Sequence, residues 1–310
     1  MIKHKPKSKG YVIDALDVET SKIACFIARI IDDEGRFEIL GVGHQAAVGM
    51  KAGTIIDLDA AEAAIRHTVH TAENMAAPAM GGYPLREVVV NLPGIHARSH
   101  NISVDVEIAG QDVTDNDIRR ALAKAQEFTV SSDVELVHTI ATGYSIDGHN
   151  SIRDPRGMYG SKMDVDIHLV TGAAAALRNM ATCMDRSHLD IASLCLSSYA
   201  AGLSALVEDE MDIGCTVIDM GGGVTSMAVF YGGKMIYGDA VPVGGHHVTN
   251  DIARGLTTSL SDAERLKNLY GSAMGASADE NELIDVPQIG EDVHAQPNHV
   301  PRSLLIGIIQ

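Results

Sequence analysis

The residues best suited to chemistry form a glycine-rich segment, Asp219-Met220-Gly221-Gly222-Gly223-Val224-Thr225, at the end of the apolar strand pattern Cys215–Met220. Three successive glycines let a backbone turn tightly and bring its N–H groups against phosphate oxygens. A carboxylate in the position of Asp219 would face a phosphate-bound Mg²⁺, directly or through water. Alone, the segment fits a glycine-rich hairpin without any ligand equally well.

A second acidic turn, Asp17-Val18-Glu19-Thr20-Ser21-Lys22, lies near the amino terminus. Its Asp again ends an apolar strand pattern, Tyr11–Asp17, and the hydroxyls and the Lys suit a site for β- and γ-phosphates and a metal. Alone, a polar turn with a surface Lys is the simpler interpretation. Two Asp-ended hairpins, one in each half of a chain and facing one cleft, are typical of the actin/Hsp70/sugar-kinase superfamily.

A third candidate element is the helical pattern Ser261–Lys267, with Ser261 as the predicted cap and Glu264 completing a capping box. Glu264 and Lys267 lie one helical turn apart and could reach a ribose or an adenine edge. The alternative is an exposed ion pair between helix neighbours, which contributes only about 0.2–0.5 kcal/mol. Taken alone, the pattern favours the ion pair.

The elements that must position these residues occur twice in the same order. The patterns at 22–31 and 37–43 predict a hairpin, and a helix capped by Asp57 or Asp59 follows up to a Gly/Pro break at 78–84. In the second half, strands at 225–231 and 234–237 flank Gly232-Gly233, a strong hairpin signal.

Between the two halves the pattern changes. Residues 94–163 combine an alternating strand, a helix from Thr114 and a further strand at 135–146, which predicts a small α+β subdomain with its own sheet. The apolar run 164–171 is typical of a buried strand of the main fold.

The predicted fold class is therefore α/β, an actin-like (ribonuclease-H-like) duplicated fold with an inserted α+β subdomain. Its first half comprises 1–86 and 165–196, and the inserted subdomain comprises 87–164. The second half comprises 197–242, and its outer subdomain 243–310. The apolar stretch 304–309 predicts the start of a helix, so the fold is expected to be incomplete at its carboxyl end.

Composition excludes several classes of function. A formal net charge of −17 over 310 residues repels phosphate backbones, so nucleic acid is not an expected partner. Four lysines between residues 3 and 9 predict only a frayed tail. The four cysteines form no C-x-x-C pair, which is typical of buried thiols in a reducing compartment. Without an apolar signal core or a membrane-span pattern, the chain is expected in the cytoplasm.

Several segments resemble the FtsA-type bacterial cell-division proteins in order and spacing, and the likeness covers nearly the whole chain. The inserted subdomain is its most specific part, because other superfamily members place a different subdomain elsewhere. The segments are GVGHQAAVGMKAGTIIDLDAA (41–61), VVVNLPGIHARS (88–99), KMDVDIHLVTG (162–172), VIDMGGGVTSMAVFYGGK (217–234) and SDAERLKNLYGSA (261–273).

The resemblance implies an actin homologue that binds ATP with Mg²⁺ on the cytoplasmic face of the membrane at the division septum. Such a protein polymerises, tethers the tubulin-like protein FtsZ through the FtsZ tail, and recruits later division proteins through its inserted subdomain. The tail would dock at about 243–300. The implied first phosphate loop contains Asp17, Thr20, Ser21 and Lys22; the second contains Asp219, Gly221, Gly222, Gly223 and Thr225; Glu264 and Lys267 are the implied nucleoside contacts, and Asp17 and Asp219 the metal-facing residues.

The sequence departs from the family pattern at three places. Glu19 stands where the family usually has Gly. The repulsion between a carboxylate and a phosphate is roughly 4 kcal/mol at about 4 Å for an effective dielectric near 20. ATP binding is therefore expected to be weakened unless Glu19 points away or reaches Mg²⁺. Val224 and Ser226 replace the Thr and Asp often found after the glycines, and the loss of one hydroxyl and one carboxylate disfavours fast hydrolysis. The family's adenosine motif and its membrane-binding amphipathic helix are not found before Gln310, so direct membrane binding is expected to fail.

Two other functions stay open at this point. A phosphotransferase or ATPase of the same superfamily would need a catalytic Asp in a substrate cleft, and no candidate stands out, so at most a weak ATPase activity is expected. An adaptor that has lost nucleotide binding is suggested by Glu19 and by the missing adenosine motif.

Overall fold

The computed structural model describes residues 11–32, 34–81, 84–129, 132–289 and 298–310. The basic stretch at 3–9, predicted to be a tail, lies outside the described residues. The chain divides into two compact units, Met1–Pro242 and Val243–Gln310. Among the described helices, none combines the length and the apolar composition that crossing a membrane requires.

The described residues form sixteen strands. They are β1 (Val12–Val18), β2 (Lys22–Ile30), β3 (Phe37–Ala46), β4 (Met50–Lys51), β5 (Thr54–Ile55), β6 (Glu87–Leu92), β7 (Ala97–Glu107), β8 (Val134–Ile146), β9 (His149–Ile152), β10 (Lys162–Ala173), β11 (Asp190–Leu196), β12 (Cys215–Met220), β13 (Thr225–Tyr231), β14 (Lys234–Val241), β15 (Leu283–Val286) and β16 (Asn298–Pro301).

The described residues also form eight α-helices. They are α1 (Leu58–Met80), α2 (Asp115–Gln126), α3 (Ala174–Arg186), α4 (Ser197–Ala205), α5 (Glu208–Ile213), α6 (Gly245–Leu256), α7 (Leu260–Tyr270) and α8 (Arg302–Ile309), with short 3-10 turns at Gly94–His96, Glu127–Thr129 and Ser277–Glu280.

A five-stranded sheet in the order β11-β6-β1-β2-β3 forms the first part of the larger unit. β1, β2 and β3 are antiparallel neighbours, whereas β6 and β11 run parallel to β1. Apolar residues from one face of this sheet, including Leu16, Ile23 and Val88, pack with Ile65 of α1 and Met184 of α3. This packing leaves the other face of the sheet available to line a cleft.

Helix α1 begins as the sequence predicts and ends later. The Asp57 side chain accepts hydrogen bonds from the N–H groups of Asp59 and Ala60, so Asp57 is the cap. The helix continues through Pro78, predicted to begin a break, and stops at Gly81 with φ of 68°. Pro78 lies in the last turn, where its missing N–H removes only one intrahelical hydrogen bond.

The inserted subdomain contains a four-stranded sheet in the order β7-β10-β8-β9, with α2 packed against it. The predicted strand at 164–171 was expected in the main fold, but it belongs to β10, which pairs with both β7 and β8. Because β10 is the inner strand between them and is buried along both faces from Ile167 to Gly172, its sequence resembles a strand of a covered parallel sheet.

The third sheet, β12-β13-β14, is antiparallel throughout. Its β13–β14 turn has Gly232 and Gly233 at φ of 59° and 74°, which confirms the predicted hairpin. Phe230 and Met235 of this sheet pack with Val170 of β10 and Leu196 of β11 in one core cluster. The inserted sheet is therefore fixed to the β13–β14 hairpin as well as to the first sheet.

The smaller unit packs α6, α7 and α8 with the β15–β16 hairpin around Ile252, Leu266 and Leu305. Helix α7 begins two residues earlier than predicted. Its cap is Ser259, whose Oγ accepts the Asp262 N–H at 3.1 Å, and not Ser261. Gly271 ends α7, as expected.

Candidate functional site

Two hairpins of the larger unit place acidic residues at equivalent positions. Asp17 lies near the end of β1 opposite Ala24 of β2, and Asp219 lies near the end of β12 opposite Ser226 of β13. Both side chains line one cleft of about 790 Å³ on the open face of the first sheet. The predicted pair of Asp-ended hairpins is thus present, and its two carboxylates share one cavity.

Each of the two turns is closed by a backbone hydrogen bond. The Glu19 N–H donates to the Lys22 carbonyl at 3.0 Å, and the Gly221 N–H donates to the Val224 carbonyl at 2.9 Å. Ser21 and Lys22 from the first turn, and Gly221 and Gly222 from the second, line the cleft. Polar hydroxyl, ammonium and backbone groups therefore converge on a space of the size that small-molecule ligands occupy.

The two aspartates influence each other electrostatically. Burial raises the pKa of Asp17; the nearby Lys22 ammonium opposes that rise and the Asp219 carboxylate adds to it. A divalent cation between the two carboxylates would stabilise their charged forms. The described residues contain no cluster of three His, Cys, Asp or Glu side chains placed to hold a metal, so Mg²⁺ would need phosphate oxygens and water as its other ligands.

Glu19 points into the same cleft and is tied to its floor. Its Oε1 accepts a hydrogen bond from Asn91 Nδ2 at 2.9 Å and lies 3.2 Å from Ser197 Oγ. Burial, with Asp17 as the next cause, raises the pKa of Glu19 to about 7. Of the two alternatives for Glu19, pointing away from the phosphate loops does not apply, and weakened ATP binding stays a prediction.

Asn91 and Ser197 are cleft residues that the sequence motifs did not single out. Asn91 Oδ1 accepts the Val18 N–H at 2.7 Å, and Ser197 Oγ lies 3.1 Å from the Leu92 carbonyl oxygen. A signal for Asn91 does exist in the sequence, because a polar residue follows three valines near the end of β6, just as each Asp follows an apolar run.

Thr20 and Gly223 hold the two loops together and are absent from the cleft lining. Thr20 is buried, and its Oγ1 accepts the Gly53 N–H at 2.8 Å. A Cβ added at Gly223 would lie 2.8 Å from Thr20 Cγ2 and 3.0 Å from Ala52 Cα. The Thr20 hydroxyl thus bonds to the protein backbone, and Gly223 permits close packing of one loop on the other.

Thr225, the last predicted residue of the second loop, is the first residue of β13. It pairs with Met220 on one side and Val241 on the other. Like Thr20 and Gly223, it is not among the residues that line the cleft.

Glu264 and Lys267, the predicted nucleoside contacts, lie on α7 in the smaller unit. Lys267 Nζ donates to Glu264 Oε2 at 2.7 Å and to Thr249 Oγ1 at 2.8 Å. Although burial opposes it, hydrogen bonds donated to the Glu264 carboxylate by Lys267 and by the Thr249 hydroxyl hold the pKa of Glu264 below its usual value. The two side chains form an ion pair that also joins α7 to α6, and their role toward a nucleoside stays a prediction.

The family model for cell division protein FtsA matches residues 216–306, and the model for the SHS2 domain inserted in FtsA matches residues 94–171. The cell division protein FtsA of Rhizobium meliloti is 42% identical over an alignment 318 positions long, which spans 100% of this chain and 71% of the relative. The FtsA of Bacillus subtilis is 35% identical over 89% of this chain and 62% of its own length.

Solved structures with low identity show the fold. A chain of the PilM–PilN type IV pilus biogenesis complex superposes with a TM-score of 0.60 at 17% identity, over 83% of this chain and 69% of that chain. MreB5 of Spiroplasma citri bound to AMPPNP superposes with a TM-score of 0.51 at 14% identity, over 98% and 75%.

The predicted α/β, actin-like fold with an inserted subdomain is confirmed by these likenesses and by the matched SHS2 domain. The resemblance drawn from the sequence segments is confirmed by the FtsA family model and by the relatives. The chain belongs to the FtsA family of cell-division proteins.

Proposed function

We propose that this chain binds Mg-ATP between the loops at 17–22 and 219–225. The observation that carries the proposal is the convergence of Asp17 and Asp219, from equivalent positions of two hairpins, on one cleft. The cleft also offers an ammonium group from Lys22 and closely approachable backbone at Gly221 and Gly222. This set of groups suits a polyphosphate with its magnesium ion.

The residues would share the work as follows. Asp17 and Asp219 would face the metal, directly or through water, while Lys22 and Ser21 would contact phosphate oxygens. Gly222 would present its backbone N–H group, and Gly221, whose own N–H donates to the Val224 carbonyl, would leave room for close approach. Thr20, Gly223 and Thr225 would keep the loops in place. Glu264 and Lys267 would contact the nucleoside.

The wider role that we propose is that of an actin-like assembly protein of cell division. It would polymerise, tether the FtsZ ring at the inner face of the cytoplasmic membrane at the septum, and recruit later division proteins. Membership of the FtsA family and the matched inserted domain support this role. We assign recruitment to the subdomain at 87–164 and docking of the FtsZ tail to about 243–300.

Calorimetric titration of Mg-ATP into the 310-residue chain tests nucleotide binding. We expect saturable binding that Asp219→Ala abolishes and that Asp209→Ala, an exposed carboxylate on α5, leaves unchanged. Equal affinities for all three proteins would contradict a role for the second loop.

Fluorescence anisotropy with a labelled FtsZ tail peptide tests the proposed partner. We expect binding by the intact chain, and the loss of an apolar contact at an exposed position in the docking region, such as Leu269→Ala on α7, should weaken it. Absence of binding by the folded chain would contradict the proposed tether.

A second candidate is a nucleotide-free adaptor, and the position of Glu19 favours it. A carboxylate anchored between the two phosphate loops competes with a phosphate for the same space and charge. The calorimetric titration separates the two functions, because an adaptor of this kind would bind the FtsZ tail without binding Mg-ATP.

A further inference from the structure

The Glu19 side chain extends from the first loop toward the second. A Cβ built at Gly221 would lie 4.0 Å from Glu19 Oε2, while Glu19 itself belongs to the turn that follows β1. A carboxylate therefore already lies between the two loops where the phosphates of a nucleotide would have to lie.

Two anchors hold the carboxylate in that place. Asn91 Nδ2 donates to Glu19 Oε1, and the Asn91 side chain is itself fixed by the Val18 N–H at 2.7 Å. Ser197, at the start of α4, lies 3.2 Å from the same carboxylate oxygen and 3.1 Å from Asn91 Nδ2. Because both anchors also bond to or contact the backbone, the carboxylate position is defined by the fold and is not a freely chosen rotamer.

We propose that the Glu19 carboxylate occupies the position of the innermost phosphate, so that the cleft binds a nucleoside diphosphate more tightly than the corresponding triphosphate. This inference rests on the proposed nucleotide site and specifies which nucleotide that site prefers. In a cleft that a nucleotide enters with its phosphates first, the terminal phosphate reaches deepest. A diphosphate can therefore bind beside Glu19, whereas a triphosphate must displace it.

Charge and hydrogen bonding both act in this direction. Wherever the Glu19 carboxylate is ionised it repels the phosphates in this partly dry cleft, and ATP carries more negative charge than ADP. Removal of the Glu19 side chain would also free the Asn91 amide and the Ser197 hydroxyl, which could then donate to the terminal phosphate.

The test compares Mg-ADP and Mg-ATP titrations for the wild-type chain, Glu19→Gln and Glu19→Gly. We expect wild type to bind ADP about tenfold or more tightly than ATP. Glu19→Gly should raise the ATP affinity by about tenfold while changing the ADP affinity by less than about threefold. Glu19→Gln keeps the size and the acceptor oxygen, so it separates the effect of charge from that of bulk. Circular dichroism shows that each variant is folded.

A second change tests the anchors. In the Glu19→Gly background, Ser197→Ala should lower the affinity for ATP more than that for ADP, because the freed hydroxyl serves the terminal phosphate. Equal ATP-to-ADP ratios in wild type and both Glu19 variants would overturn the inference while leaving the nucleotide site intact. Failure of every folded variant to bind either nucleotide would overturn the nucleotide site and the inference together.

Discussion

At the residue scale, the contact between Thr20 and Gly223 sets the spacing of the two loops. Gly223→Ala would place a Cβ 2.8 Å from Thr20 Cγ2 and 3.0 Å from the Ala52 backbone, so the Thr20 side chain or the loop backbone has to shift. Overpacking of this kind destabilises a fold by about 1–3 kcal/mol. We expect urea denaturation to show a decrease of that size in the free energy of unfolding.

Gly110→Ala is the matched control for Gly223→Ala. The nearest atom to a Cβ at Gly110 is the Asp112 carbonyl oxygen at 3.9 Å, which is an ordinary contact. Equal denaturation midpoints for the two variants would contradict the idea that Gly223 is needed for loop packing.

The hydroxyl of Thr20 provides a separate prediction. Thr20→Val keeps the shape of the side chain but leaves the Gly53 N–H without its acceptor. A buried donor that loses its partner costs about 1–3 kcal/mol, which chemical denaturation can measure. Ser21→Ala, at an exposed neighbouring hydroxyl, should change stability by less than about 0.5 kcal/mol. A neutral Thr20→Val would refute the structural role of that hydroxyl.

Residue patterns alone predict part of the site. Asp17 and Asp219 could be found because each ends an apolar strand and begins a polar or glycine-rich turn. The partners of Thr20 and Glu19 could not be found, because Gly53 and Ser197 are 33 and 178 residues away along the chain. Such contacts depend on tertiary packing, which local sequence does not encode.

At the element scale, Ser99 links the inserted sheet to β14. Its Oγ lies 2.8 Å from the Gly238 carbonyl oxygen, accepts the Gly238 N–H at 2.9 Å and contacts the buried His168 ring at 3.0 Å. Ser99→Ala should destabilise the larger unit by about 1–3 kcal/mol, since several buried polar groups lose a partner. Thermal or urea unfolding measures the loss.

The control for this link is Ser103→Ala, an exposed serine on the same strand β7. We expect no measurable loss of stability for that variant. A Ser99→Ala protein as stable as Ser103→Ala would show that the inserted sheet is held by apolar packing alone.

His138 makes the attachment of β8 to β11 dependent on pH. Its Nε2 accepts the Leu196 N–H at 3.0 Å; burial, and then the nearby His168, lower the pKa of His138 to about 4. An unfolded His has a pKa near 6.5, so the unfolded chain binds more protons between those values and stability falls as pH falls through that window. The loss from about pH 7 to about pH 5 should be about 2 kcal/mol.

Comparison with His138→Gln isolates this contribution. A Gln oxygen can accept the same N–H and does not titrate, so the variant should lose about 2 kcal/mol less than wild type over the same pH change. Urea denaturation at the two pH values provides the measurement. Parallel losses in both proteins would mean that His138 is not the responsible group.

Elements were predictable where local periodicity decides them. The three hairpins and α1 follow from strand alternation, glycine turns and helical spacing. The sheet to which β10 belongs could not be predicted, because an inner strand buried on both faces has the same apolar pattern in either sheet. The sequence predicts Ser261 and not Ser259 as the cap of α7 because it offers two suitable serines only two positions apart.

At the scale of the whole molecule, the duplicated order of hairpins specifies the fold class better than composition does. A strand–Asp–turn–strand hairpin recurs at β1–β2 and β12–β13, and the two hairpins face one cleft. The inserted sheet joins both halves of the larger unit through the core around Leu196, Phe230 and Val170. We therefore expect changes at the second loop to reach the inserted subdomain through β14.

Hydrogen exchange with and without saturating Mg-ADP shows whether the two loops form one nucleotide site. We expect slower amide exchange at 17–22 and at 219–225 together, and no protection of either loop in the Asp219→Ala variant. Protection of one loop only, or of neither loop in the folded chain, would contradict a shared nucleotide site.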